Sequence, residues 1–214
     1  MNRVFNDQTV VQLPQKPVLP VMEAFYTLQG EGAHQGRAAY FIRLGGCDVG
    51  CHWCDVKESW DAAQHPQRSV TDIVEEAARY PARVAVITGG EPLMHNLTSL
   101  CDALHQRGFT VHVETSGAHP LSGALDWICL SPKKFKVPRS AICQQAHELK
   151  VVVYNRSDFA WAEEFAEQVA PGCQLFLQPE WSHSAKMLPQ MVDYVKEHPR
   201  WRISLQTHKY MQIP

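Results

Sequence analysis

Nothing in this chain reads as an address or a membrane anchor. The opening segment, MNRVFNDQTVVQLPQ, lacks the apolar core of a secretory signal, and no apolar run approaches the length that spans a bilayer. Charge of one sign is also scarce: the net charge is -2, so no broad basic surface is offered to nucleic acid. Internal repeats and low-complexity segments are absent. A disulfide framework is a poor fit as well, because the cysteines number seven, an odd count, and three of them crowd into one short stretch. A reducing cytoplasm is the expected compartment and small molecules are the expected partners. What remains is a composition that is 45% hydrophobic and 20% charged over 214 residues, enough for one well-filled core and without a sign of a second domain.

The chemistry-bearing stretch is FIRLGGCDVGCHWCDVKESW at 41–60. Cys47, Cys51 and Cys54 follow the spacing C-x3-C-x2-C on a loop entered by Gly45 and Gly46 and loosened by Gly50, so three thiols can converge on a soft centre. A structural zinc site usually wants four ligands, and no fourth Cys or His stands nearby at a paired spacing. Three thiolates suit a cubane iron-sulfur cluster that leaves one iron open, with Trp53 just before the last cysteine. A partial zinc site, or three unrelated buried thiols, is the competing reading of the triplet alone. Cys101, Cys129, Cys143 and Cys173 are scattered and read as small buried hydrophobes.

Residues 1–20, with Pro14, Pro17 and Pro20, read as an extended arm, and residues 21–214 as the domain. A strand from Val21 runs into a loop where Gln29 and Glu31 alternate with Gly30 and Gly32, either a close approach to a ligand or a solvated turn. Strand 39–44 carries Arg43, whose planar fork can take a carboxylate or pair with a structural acid. Thr71 or Asp72 is expected to cap a helix stopped by Pro81. Strand 83–88 ends in Gly89, Gly90 and Glu91, where the acid can receive an ammonium or the turn can be a plain connection. Asn96 is expected to cap the next helix, which Gly108 ends. The same form, an apolar strand closing on polar residues, recurs at Thr115–Ser116, at Ser131–Lys133, after 149–153 and at Gln178. Helices are expected over 157–169 and 187–196, with Pro189 in the first turn of the latter. Such units place a site at the carboxyl ends of parallel strands. About six of them are too few for a closed barrel, so the expected fold is α/β, a single-domain, incomplete TIM-like (β/α) barrel of mainly parallel strands.

The cysteine triplet with its aromatic, followed by GGE at a strand end, resembles the radical S-adenosylmethionine (SAM) superfamily. The segments YTLQGEG (26–32), FIRLGGC (41–47), ITGGEP (87–92), ETSG (114–117), LSPK (130–133) and QTHKY (206–210) together resemble the 7-carboxy-7-deazaguanine synthase family over roughly residues 21–214. That resemblance implies a lyase that contracts the ring of 6-carboxy-5,6,7,8-tetrahydropterin with loss of ammonia, on the route to 7-deazapurines such as queuosine. It implies a 4Fe-4S cluster on Cys47, Cys51 and Cys54, SAM against Trp53, Gly89, Gly90, Glu91, Ser116, Ser131 and Lys133, and a pterin held by Gln29, Glu31, Arg43, His208 and Pro214. It also implies a homodimer, an electron donor such as flavodoxin, and Mg2+. Taken alone, His208 reads as a satisfied buried histidine and Lys133 and Lys134 as solvated charges. Trp60 and Trp201 read as packing residues.

One departure stands out. The family places a hydroxyl residue two positions after the last cluster cysteine, where it helps hold magnesium, and here that residue is Val56. Valine has no oxygen to offer a cation that demands oxygen ligands, so a weakened or altered magnesium requirement is expected, with the ion held by substrate, water and Asp55 or with Lys57 taking over charge neutralisation. Two other readings compete: a glycyl-radical activating enzyme, which leaves LQGEG and QTHKY without a reason, and a non-catalytic iron-sulfur or zinc module, which leaves GGE without one.

Overall fold

The computed structural model describes residues 17–214. The expected arm therefore lies largely outside the described residues, and residues 18–20 belong to the first strand. The strands are β1 (Val18–Leu28), β2 (Ala38–Leu44), β3 (Gln67–Ser69), β4 (Val84–Gly89), β5 (Thr110–Thr115), β6 (Trp127–Leu130), β7 (Glu148–Val153), β8 (Gln174–Pro179) and β9 (Trp201–Ile203). They form one sheet in the order β3-β1-β2-β4-β5-β6-β7-β8-β9, with every pairing from β2 to β9 parallel. β1 pairs antiparallel with both β2 and β3, and the sheet stays open between β3 and β9. This is the incomplete barrel expected, with seven strands in its parallel run.

The period of two along each strand divides the molecule into an outer core and an inner site. Tyr40, Ile42 and Leu44 of β2, Ala85 and Ile87 of β4, Val111 and Val113 of β5, and Leu149, Val151 and Val153 of β7 all face the main core. There they meet helices α1 (Val70–Ala77), α2 (Thr98–Gln106), α4 (Ser157–Ala166) and α5 (Ser184–Glu197), while α3 (Ser140–Cys143) packs Ile142 and Cys143 into the same layer. The alternate residues point inward: Arg43, Thr88, His112, Glu114, Glu148 and Lys150 are polar, while Ala39, Phe41, Val84 and Val86 gather in a second, small apolar cluster. Trp201 is buried, as expected of a packing residue, and its indole N–H donates to Glu163 at 2.9 Å. Trp60 differs, since it is half-exposed and lines the inner cavity.

Helix boundaries moved where tertiary pairing overrode local signals. α1 starts at Val70 and is capped by Ser69, whose Oγ accepts from Asp72 N at 3.1 Å, in place of the expected Thr71 or Asp72. Ser69 pairs with Val18 as the last residue of β3, and this pairing sets where the helix begins. Asn96 does satisfy an end of α2, accepting from Thr98 N at 3.0 Å. α4 ends at Ala166, short of residue 169, and α5 begins at Ser184, so Pro189 falls in its second turn. The earlier start follows from Glu180, which accepts from Ser182 N and His183 N and winds the preceding residues into a helical turn.

Replacing Ser69 with alanine leaves the α1 N-terminus without its acceptor and is expected to cost about 1 kcal/mol. A melting curve of the variant should then fall by about 2–4 °C, the response of a chain of this size to that loss.

Candidate active site

The carboxyl ends of β2, β4 and β5 are drawn together by backbone and by one buried acid. Gly90 N donates to Leu44 O at 3.0 Å and Glu91 N to Gly46 O at 2.8 Å, which lays the GGE turn on the cysteine loop. Only glycine permits this approach: a Cβ at Gly90 would stand 2.4 Å from Gly46 O and 2.7 Å from Cys47 Cβ. Glu91 is 1% exposed and both of its oxygens are taken by protein donors. Oε1 accepts from Leu93 N at 3.0 Å and Thr115 Oγ1 at 2.6 Å, and Oε2 accepts from Ser116 N at 2.8 Å and from Ser116 Oγ. Glu91 thus holds the wall, and the groups of this junction that line the cavity are Gly89, Gly90, Thr115 and Ser116.

Cys47, Cys51 and Cys54 line the same cavity, of about 240 Å³. Their loop is fastened by Gly46 N to Ser59 O at 2.6 Å, Cys47 N to Trp60 O at 3.0 Å, and the Nε2–H of His95 to Gly45 O at 2.7 Å. Asp48, inside the loop, accepts from His119 at 2.9 Å and Lys136 at 2.5 Å, which lowers its pKa. Burial pushes the Cys47 thiol up and the Cys51 thiol up to about 11; a positive centre reverses that preference, since metal coordination deprotonates a thiol. Among the described residues no three Cys, His, Asp or Glu groups are placed to hold a single ion, the cysteine triplet included. It fits a cubane that puts each sulfur on its own iron. Trp53 stands beside it with Lys133 Nζ 5.9 Å over its ring, and Lys133 also donates to Ser131 O and Oγ, both at 2.6 Å. Burial pulls the Lys133 pKa down.

A second cavity of about 190 Å³ adjoins the first and shares Glu31, Arg43, Asp55, Val56, Thr88, Glu114 and Gln206 with it. It gathers the predicted residues Gln29, Glu31, Arg43, His208 and Pro214. The helix α6 (Thr207–Met211) brings His208 over Gly30, where a Cβ would stand 2.2 Å from His208 Nδ1, and Thr207 N and Oγ1 both donate to Gly30 O at 2.9 Å. Pro214 O accepts from Thr27 Oγ1 at 3.2 Å. Arg43 uses Nε on Glu23 at 2.6 Å, so it pairs with a structural acid while still lining the cavity. Burial pulls the His208 pKa down.

The residues that sequence reasoning missed are Lys150, Glu114 and Gln206. Lys150 Nζ lies 2.6 Å from Glu31 Oε2 and 2.8 Å from Glu114 Oε2, and Gln206 Nε2 donates to Glu31 Oε1 at 3.0 Å. Burial acts to raise the Glu31 pKa, but the Lys150 charge and the hydrogen bonds from Lys150 and Gln206 outweigh it and hold it at about 2. A signal was present in ELKVVV, where charges occupy alternate positions of an otherwise apolar strand and so share its inner face.

An open parallel barrel with three cysteines at the mouth and a polar pocket inside defines an enzyme of the radical SAM class, and residues 41–132 match the Radical SAM superfamily. The chain is 58% identical to 7-carboxy-7-deazaguanine synthase of Flavobacterium psychrophilum, over 92% of this chain and 93% of that protein. It is 51% identical to the enzyme of the same name from Synechocystis sp., over 91% and 93%. The crystal structure of QueE from Escherichia coli superimposes with a TM-score of 0.79 at 32% identity, covering 88% of this chain and 93% of that one. The chain belongs to the 7-carboxy-7-deazaguanine synthase family.

Because the folded Glu31 pKa lies below its ordinary value of 4.5, its contribution to stability is complete above that pH and is lost as pH falls toward about 2. Urea unfolding of the protein and of Glu31→Gln should therefore differ by a constant amount from pH 7 to 5 and draw together as pH falls from about 4 toward 2.

Proposed function

We propose that this enzyme is a 7-carboxy-7-deazaguanine synthase, converting 6-carboxy-5,6,7,8-tetrahydropterin to 7-carboxy-7-deazaguanine with loss of ammonia. The observation that supports it most is the joining of the two cavities: the cysteine loop and the GGE turn bound one, and Gln29, Glu31, Arg43 and His208 bound the other. Cys47, Cys51 and Cys54 hold the cluster in this reading, and with SAM it supplies one-electron chemistry and hydrogen abstraction. Gly89, Gly90 and Ser116 hold the methionyl end of SAM through backbone and hydroxyl groups, with Ser131 and Lys133 beside its ribose or carboxylate and Trp53 alongside. Glu31, ionised at any working pH, accepts from the donor edge of the pterin ring. Arg43 meets the substrate carboxylate with its terminal nitrogens, Nε being engaged by Glu23.

Magnesium fits this wall poorly. Val56 has no oxygen, Asp55 Oδ2 lies 3.1 Å from Lys209 Nζ, and Lys57 Nζ sits over the Trp60 ring at 5.9 Å, turned to that aromatic. Charge at the substrate carboxylate is balanced by Arg43 in this reading. The proposal also includes a cytoplasmic homodimer served by an electron donor such as flavodoxin, in keeping with the family; among the described residues no helix is long and apolar enough to cross a membrane.

Anaerobic turnover of the reconstituted enzyme with SAM, a reductant and the pterin should yield 7-carboxy-7-deazaguanine by mass, and Cys51→Ala should yield none. SAM cleavage with the pterin left unconverted would move the assignment to a protein-activating radical enzyme. In the same assay, adding magnesium should change the rate by less than about twofold, and Val56→Thr should restore a dependence on it, since the hydroxyl supplies the missing oxygen ligand.

A further inference from the structure

Two acids on the cavity floor share one cation. Glu31 follows β1, Glu114 lies on β5 and Lys150 on β7, so the group exists only once the sheet has formed. The Lys150 side chain is 4% exposed, and Nζ spends two of its three N–H donors on Glu31 Oε2 and Glu114 Oε2. The remaining oxygens take side-chain amides, Glu31 Oε1 from Gln206 at 3.0 Å and Glu114 Oε1 from Gln29 at 3.2 Å. The Gln29 Oε1 in turn accepts from Glu31 N at 3.2 Å, which closes the circuit. Glu148, on the same face of β7, is not part of this circuit: its Oε2 accepts from Ala33 N and Trp127 Nε1, both at 3.2 Å. The floor thus holds two carboxylates and one ammonium.

We infer that Lys150 is a positioning residue of this enzyme, keeping Glu31 and Glu114 together as a paired acceptor edge for the aminopyrimidinone side of the substrate. The inference rests on the pterin reading above, because that ring edge presents neighbouring N–H donors. Without the ammonium, two like charges are left side by side in a partly buried pocket and one takes up a proton, turning an acceptor into a donor that meets the ring N–H head-on. The loss falls on recognition of the pterin, while the cysteine loop and the GGE turn, built on other contacts, keep their arrangement.

The test uses the full chain, anaerobically reconstituted, as parent, Lys150→Met, Lys150→Arg, Glu31→Gln and Lys150→Met/Glu31→Gln. Three readouts are taken: iron content, SAM cleavage without pterin, and KM and kcat for the pterin. For Lys150→Met the expected result is iron content and pterin-independent SAM cleavage near parent values, with KM raised by about tenfold or more and kcat changed less. Lys150→Arg should recover part of that loss. In the Glu31→Gln background the same lysine change should cost less than about threefold, because one of the two anions is already gone. An unchanged KM, or an equal cost in both backgrounds, overturns the inference. Should Lys150→Met fail to fold, the charge-balanced double variant decides: kinetics like Glu31→Gln support the positioning role, and a double variant that also fails to fold shows a structural one. A parent that cleaves SAM but leaves the pterin intact overturns the pterin reading, and this inference with it.

Discussion

The site depends on one buried carboxylate. Glu91 gathers two backbone N–H groups and two hydroxyls from its own turn and from the end of β5, while its N–H binds the cysteine loop at Gly46. A carboxylate so placed has no water to fall back on, so its donors are held to it closely. Three strand ends and one loop are fastened at this point, and the cysteine triplet, the glycine turn and Ser116 acquire fixed relations through it. Gly90 is the other half of the constraint, because a side chain there would drive the turn away from Cys47.

Beyond that junction the sheet separates two tasks by parity. Its outward residues form an apolar layer under the helices, and its inward residues combine a small apolar cluster at Ala39, Val84 and Val86 with polar groups whose character differs along the cavity. At the cysteine side the cavity has thiols, backbone and hydroxyls; deeper in, it has Glu31, Glu114 and Lys150; toward Asp55 it has Arg43. A substrate carrying a carboxylate at one end and N–H donors at the other meets opposite charges in matching order. The open edge of the barrel lets α6 close this interior, and Thr207 on Gly30 seats it.

Much of this could be read from residue order. The triplet spacing, the glycines beside it and the polar residues at strand ends are local features, and their chemistry is intrinsic to the residue types. Helix ends were less legible: Ser69 caps α1 because it also ends a strand paired with residue 18, a partner far along the chain. Glu91 was legible as important but not in its role, since an acid at a strand end looks the same whether it faces a ligand or four protein donors.

The sequence by itself determined the fold class, the cysteine triplet and the family, because these rest on short-range spacing and on the period of apolar residues. Only the tertiary structure decided which charges meet. Glu31, Glu114 and Lys150 are separated by tens of residues and come from three parts of the sheet, and their energies depend on distance and burial, neither of which is written in any one segment.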